Sequence, residues 1–165
     1  MAPTAEGVVR RLVETGLTVA TAESLTGGLV GAAITGVSGS SAVYVGGVVS
    51  YATRVKVEVL GVSPEVVEAE GVVSAACAAQ MAEGVRRVLG ADLGVSTTGV
   101  AGPDLQEGKP AGTVHVGLAG PAGTVVLSPR LDGDRAAIRA ATVDAALGLV
   151  VETLRDRPRE VVGLE

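Results

Sequence analysis

The chain contains no phenylalanine, no tryptophan and no asparagine, and its only aromatic side chains are Tyr44 and Tyr51. A core must therefore be assembled from Val, Ala, Leu and Ile, and a surface that stacks bases on aromatic platforms is excluded. Cys77 is the single cysteine, which rules out an internal disulfide and a cysteine-built zinc site. No apolar run is long enough to span a bilayer. The start, "MAPTAEGVVRRLVETG", lacks the cationic segment and apolar stretch of a secretory signal. A net charge of −5 argues against a general nucleic-acid surface. These absences predict a cytoplasmic protein with neither membrane nor nucleic acid as partner. Its 165 residues suit one domain over 1–165, ending in a loose tail over 155–165.

Scarcity extends to the bases. Of 13 basic residues only Lys56 and Lys109 are lysines. In a chain so inclined to arginine, a lysine points to a place where a group able to lose its proton is wanted, with compositional drift as the plain alternative. His115 is the only histidine, so a Ser-His-Asp triad would have to use it. It lies in "GTVHVGL", where alternation sends Val114 and Val116 to the opposite face. A mid-strand histidine of this kind is more often structural than a general base.

Periodicity and punctuation organise the rest. "TAEGVVRRLVET" (4–15) has helical spacing, with Thr4 as cap and Gly16 as stop. "LTVATAE" reads as a strand, 26–35 as a small-residue helix, and "GVSGSS" (36–41) as a loop. A second strand is expected over 43–52, a short helix over 54–61, and then a capped helical turn with Pro64 at its first position. Ser74 and Gly90 bound a confident helix. "ADLGVSTTGVAG" (91–102) begins as a buried strand and runs into a glycine-rich loop. "GTVHVGLAG" and "GTVVLSPRL" form a hairpin across "GPAG", and a long helix covers 134–157. Strands alternating with helices predict an α/β fold, a three-layer α/β/α sandwich around a mixed, mainly parallel sheet that includes one C-terminal hairpin.

Ligands of open α/β sheets bind beyond the carboxyl ends of the strands. Three such ends carry "ESLTGG", "SYATRVK" and "TTGVAGPDLQEGKPAG", which are expected to converge on one crevice. Ser24, at a strand–helix seam, is either a helix cap or a nucleophile held over backbone N–H groups. "GGLVG" fails the dinucleotide glycine spacing. Lys56 is either a base, made neutral by burial or by Arg54 nearby, or a solvated lysine paired with Glu58 or Glu23; the residues alone favour the solvated reading. Lys109, beside Glu107 and Gly108, either gates the site or is solvated, and Cys77 reads as a small core residue.

The segments "TVATAESLTGGLVGAAIT", "GSSAVYVGGVVSYATRVKVEVLGV", "GVVSAACAAQMA", "TTGVAGPDLQEGKPAGTVHVGL" and "GDRAAIRAATVDAAL" follow one another at separations that resemble the CinA C-terminal domain family. That family is also found as stand-alone nicotinamide-nucleotide amidohydrolases, and the resemblance runs from about residue 5 to 155. It implies deamidation of nicotinamide mononucleotide to nicotinate mononucleotide and ammonia, with no metal and no cofactor, in a short, free-standing form without the molybdopterin-binding-like domain. It places the nucleophile on Ser24 and the base on Lys56, acting directly or through Tyr51; with that nucleophile, the N–H groups around Leu25 to Gly28 at the helix start are the expected oxyanion site. Substrate contacts fall on Thr26, Gly27, Gly28, Ser41, Thr98, Gly99, Arg135 and Arg139. Glycines 27 and 28 would let substrate approach the backbone, and Glu23 would either orient Lys56 or face the cationic pyridinium. Thr53 stands where the family usually carries Asn. A homo-oligomer is a further expectation. The alternative is a non-catalytic nucleotide-binding regulator linked to competence or DNA damage, using the same loops.

Overall fold

Thr4 accepts the Gly7 N–H through its side chain and left-handed Gly16 closes the first helix, α1 (Ala5–Thr15), whose Val8, Val9 and Leu12 are buried. This computed structural model describes residues 4–155 and 157. After α1 the chain enters β1 (Val19–Glu23), α2 (Leu29–Thr35), a 3₁₀ turn (Ser40–Ala42) and β2 (Tyr44–Val49). Three helices follow: α3 (Thr53–Glu58), α4 (Pro64–Glu70) and α5 (Ala75–Leu89). The remainder is β3 (Leu93–Gly99), the β4 (Val114–Gly120) and β5 (Gly123–Leu127) hairpin, and α6 (Arg135–Leu154). Side chains of Ser63, Ser74 and Asp134 cap α4, α5 and α6 by accepting N–H groups of their first turns.

The sheet order is β2-β1-β3-β4-β5. β1 pairs in parallel with β2 and β3, while β4 runs antiparallel to both of its neighbours. Four strands thus point one way and β4 alone is reversed. The expected sandwich is present, though only the pairings around β1 are parallel.

Two cores lie on the two faces of the sheet. One joins Val8 and Leu12 of α1, Ile34 of α2 and Ile138 and Leu147 of α6 to Val19 and Val95. The other joins Leu60, Met81 and Val85 to Ala20 and Ala22. Lacking large aromatics, the second face is closed by bringing α5 very near the strands. A Cβ at Gly94 would lie 2.1 Å from the Ala82 carbonyl oxygen, and one at Gly117 would lie 2.6 Å from that of Ala78. Ser96 Oγ donates to the same Ala78 oxygen at 2.6 Å. Small residues on β3 and β4 therefore stand in for missing aromatic volume.

The helix expected over 26–35 begins only at Leu29, because Gly27 and Gly28 adopt left-handed φ values of 60° and 108°. The short helix expected over 54–61 occupies Thr53–Glu58. Of the expected tail, only Arg155 and Arg157 lie within the described residues; their carbonyls accept from Arg11. Among the described residues, no helix is long and apolar enough to cross a membrane.

Candidate active site

Because β1, β2 and β3 run the same way, their carboxyl ends lie side by side. Ser24 follows β1, Ser50 and Tyr51 follow β2, and residues 99–106 leave the end of β3. Together with Leu25 and Arg135 at the start of α6, Ser24, Tyr51 and the 99–106 segment wall a cleft of about 280 Å³. The three loops singled out in the sequence thus meet in one place.

Behind the cleft lies Lys56. Helix α3 starts immediately after the second strand's exit, and its one buried residue is Lys56, 1% exposed. The Lys56 Nζ lies 3.0 Å from Ser24 Oγ, 2.5 Å from the Ser50 carbonyl oxygen and 3.3 Å from that of Tyr51. An ammonium has three N–H donors, and three oxygens receive them here. When the amine is neutral, two N–H groups remain for the two carbonyls, and the lone pair is left facing Ser24 Oγ.

Burial pulls the Lys56 pKa below its ordinary 10.5, against weaker opposing pulls from Cys77 and Glu107. Burial also pushes the Cys77 thiol up to about 11, so at neutral pH it carries no charge to exert that pull. Arg54 takes no part in the depression: it is exposed and faces Glu58 at 3.8 Å. The solvated, carboxylate-paired reading of Lys56 is overturned, because neither Glu58 nor Glu23 contacts its amine.

Glu23 instead caps α2, correcting both roles expected for it. Its carboxylate accepts the Val30 and Gly31 N–H groups at 2.8 and 3.0 Å and the Thr26 hydroxyl at 2.6 Å. Thr26 Oγ in turn lies 2.8 Å from Thr97 Oγ. The Ser24 N–H donates to the Thr97 carbonyl at 3.0 Å, which fixes the seam residue to β3. The Leu25 and Thr26 N–H groups, by contrast, donate to no described residue.

Four further expectations are corrected. Ser41 is exposed on the turn that precedes β2, and the length of that strand, about 20 Å, separates it from Ser50. Thr98 is buried with its hydroxyl donating to the Val72 carbonyl at 2.7 Å, so only its neighbour Gly99 lines the cleft. Arg139 donates to the carbonyls of Leu25 at 2.9 Å and Thr26 at 3.3 Å, holding the turn from behind instead of facing the cleft. Neither Gly27 nor Gly28 lines the cleft; a Cβ on Gly27 would face Arg139 at 3.4 Å and one on Gly28 would face Val49 at 3.7 Å. Their left-handed φ values, not substrate approach, call for glycine.

Arg135 does reach the cleft, donating to the Gly102 carbonyl at 2.7 Å and the Tyr51 hydroxyl at 3.3 Å. Tyr51 is 63% exposed, so its ring forms the cleft wall while its carbonyl holds Lys56. Thr53 is exposed on α3 and does not line the cleft. His115 binds Ser128 Oγ through Nδ1 at 2.7 Å, away from Ser24. Within the "TTGVAGPDLQEGKPAG" segment expected at the crevice, Asp104, Leu105 and Gln106 line the cleft, though no residue type singles them out in the sequence. Nor does the sequence signal the Ser50 hydroxyl, a buried side-chain oxygen without a hydrogen-bond partner among the described residues.

A model of the CinA C-terminal domain family matches residues 1–154. A CinA-like protein of Frankia casuarinae is 55% identical over 154 residues, covering 93% of this chain and 36% of that protein. A CinA-like protein of a Synechococcus strain is 50% identical over 147 residues, covering 87% of this chain and 35% of the relative. The chain therefore spans about a third of the length of these relatives. Among solved structures, a competence-damaged protein (CinA) superfamily protein of Klebsiella pneumoniae superposes with a TM-score of 0.89 at 34% identity, covering 93% of this chain and 96% of that one. The competence/damage inducible protein CihA of Agrobacterium tumefaciens gives a TM-score of 0.87 at 38% identity, with 92% and 93% covered. In sequence and in fold alike, the chain belongs to the CinA C-terminal domain family.

Proposed function

We propose that the protein is an amidohydrolase that deamidates nicotinamide mononucleotide, with Ser24 as nucleophile and Lys56 as its base. The observation that carries this reading is the 3.0 Å approach of Lys56 Nζ to Ser24 Oγ, in surroundings that lower the amine's proton affinity. The choice of substrate rests on the family resemblance. Two features agree with it: a cleft of about 280 Å³, small for a ligand site and suited to a mononucleotide over a dinucleotide, and Arg135 at its wall to receive a phosphate.

The chemistry runs in two halves. Ser24 Oγ attacks the carboxamide carbon as its proton passes directly to the lone pair of Lys56, since the contact leaves no gap for a relay through the Tyr51 hydroxyl. The tetrahedral oxyanion is received by the unengaged N–H of Leu25, which lines the cleft, whereas Thr26 is fully buried outside it; a well-placed donor contributes about 3–4 kcal/mol to the barrier lowering. Lys56 then returns its proton to the departing nitrogen, the C–N bond breaks, ammonia leaves and a Ser24 ester remains. In the second half water attacks that ester, Lys56 accepts the water proton, and the Ser24 alkoxide leaves carrying that proton back from Lys56. The carbonyls of Ser50 and Tyr51 keep the amine aimed throughout.

The test is Ser24→Ala assayed for ammonia release from nicotinamide mononucleotide, together with calorimetric binding of the same nucleotide. Loss of release with binding retained is expected. Ammonia release at the unsubstituted rate would remove Ser24 as nucleophile. Nucleotide binding by the unsubstituted protein with no turnover would favour the regulatory reading instead.

A further inference from the structure

A second concentration of basic side chains lies outside the cleft. Lys109, His115 and Arg130 line an open groove of about 600 Å³ with Ser74 and Thr113, and the one carboxylate-bearing residue on its wall is Glu70. In a chain of net charge −5, the two cations Lys109 and Arg130 gather here beside the single histidine, balanced by Glu70 on the wall and by Glu107 next to Lys109. The groove shares no lining residue with the cleft.

Each base is fixed in place. Arg130 is anchored by a backbone bridge to Thr113, and its Nη1 donates to Thr113 Oγ, which itself donates to the Pro110 carbonyl at 2.8 Å. The rest of the guanidinium fork has no hydrogen bond to a described residue. His115 is oriented through Nδ1 by Ser128 Oγ at 2.7 Å, which leaves Nε2 without a partner among the described residues. Lys109 donates to the carbonyls of Val73 and Glu70, and its carboxylate neighbour, Glu107, stands 4.0 Å away. Burial, and then the charge of Lys109, hold the His115 imidazole below its ordinary value of 6.5. An anion placed beside the imidazole would offset the Lys109 charge and favour the protonated ring.

We propose that this groove is a second binding site, for the phosphoryl oxyanion of a small ligand, gripped by the free edge of Arg130 and by Nε2–H of His115 within the field of Lys109. A forked guanidinium beside an imidazole N–H matches the spread oxygens of a phosphate. The site is distinct from the place where a substrate phosphate meets Arg135, because the 103–110 loop stands between them: Asp104 to Gln106 face the cleft and Gly108 to Pro110 face the groove.

The single histidine makes the test direct, since the imidazole protons of the whole chain give one set of NMR signals. Titration with inorganic phosphate at constant ionic strength is expected to shift these signals saturably and to raise the pH at which His115 titrates. In Arg130→Gln, with its melting temperature checked as unchanged, affinity is expected to fall about tenfold or more, as for loss of one charged hydrogen bond. Calorimetry of both proteins gives the same comparison without relying on the imidazole. A nucleoside monophosphate that binds more tightly than phosphate would identify an organic phosphate as the ligand, and equal affinity would identify phosphate itself; either supports the site. A shift that grows linearly without saturation, that chloride reproduces, or that saturates with unchanged affinity in Arg130→Gln would overturn it.

Discussion

The two lysines of this chain occupy opposite surroundings. Lys56 is 1% exposed and faces a hydroxyl and two backbone carbonyls, with no carboxylate in contact. Lys109 is partly open to water, has Glu107 as counter-charge, and ties its loop to the α4–α5 junction, where Glu107 also accepts the Val72 and Val73 N–H groups at 2.9 and 2.8 Å. The same side chain ties down a loop in one place and stands dry beside a serine hydroxyl in the other. What separates them is dryness and the absence of a negative partner, not chain position or local composition.

Exchanging the lysines for apolar residues is the sharpest way to break the comparison. Lys56→Met is expected to lower ammonia release about 10³-fold or more, in the range of a lost general base acting on a nucleophile, whereas Lys109→Met should cost less than about tenfold. Lys56→Arg should fare no better than Lys56→Met, because guanidinium does not give up its proton. Equal losses at both lysines in a steady-state ammonia assay would dissolve the distinction.

The two arginines of α6 offer a smaller contrast. Arg135→Gln is expected to raise KM about tenfold with kcat nearly kept, since it faces the cleft, as loss of one charged hydrogen bond would. Arg139→Gln should act on kcat and melting temperature, because it holds the Leu25–Thr26 turn.

Smaller still is the cost of disturbing the α2 cap. Glu23→Gln replaces a carboxylate that accepts three hydrogen bonds by an amide whose NH₂ must confront one of those donors. A loss of about 1–3 kcal/mol is expected, read as a melting temperature lower by about 2–4 °C for each kcal/mol. An unchanged melting temperature would show that Glu23 is not the cap.

Much of the fold is legible because its signals are local. Thr4, Ser63, Ser74 and Asp134 each announce a helix start within three residues, and the "GPAG" turn announces the hairpin. The site is less so. Ser24 and Lys56 are 32 positions apart, and two of the three oxygens around Lys56 are backbone carbonyls, which no residue type advertises. Composition and spacing therefore read Lys56 as solvated and carry no signal for its contact with Ser24. Glu23 is not legible as the α2 cap because its partners are N–H groups seven and eight residues on, a reach that appears only once α2 folds back over β1. Ser41 belongs to a segment whose strand, once formed, carries it to the far end of the sheet.

Protonation links these observations to rate. In the proposed mechanism attack by Ser24 requires neutral Lys56, so the acylation rate is expected to rise with pH through the depressed Lys56 value and level off above it. Folding lowers the proton affinity of this amine. The stability it contributes therefore increases with pH between that depressed value and 10.5, and is constant outside the window.

Titration of the two lysine side chains by NMR on selectively labelled protein measures this most directly, since only two signals exist and Lys109→Arg assigns them. The Lys56 signal is expected to titrate clearly below 10.5, and to move when Ser24 is replaced by Ala. A Lys56 signal that keeps its proton up to or beyond 10.5 would contradict a neutral amine facing Ser24.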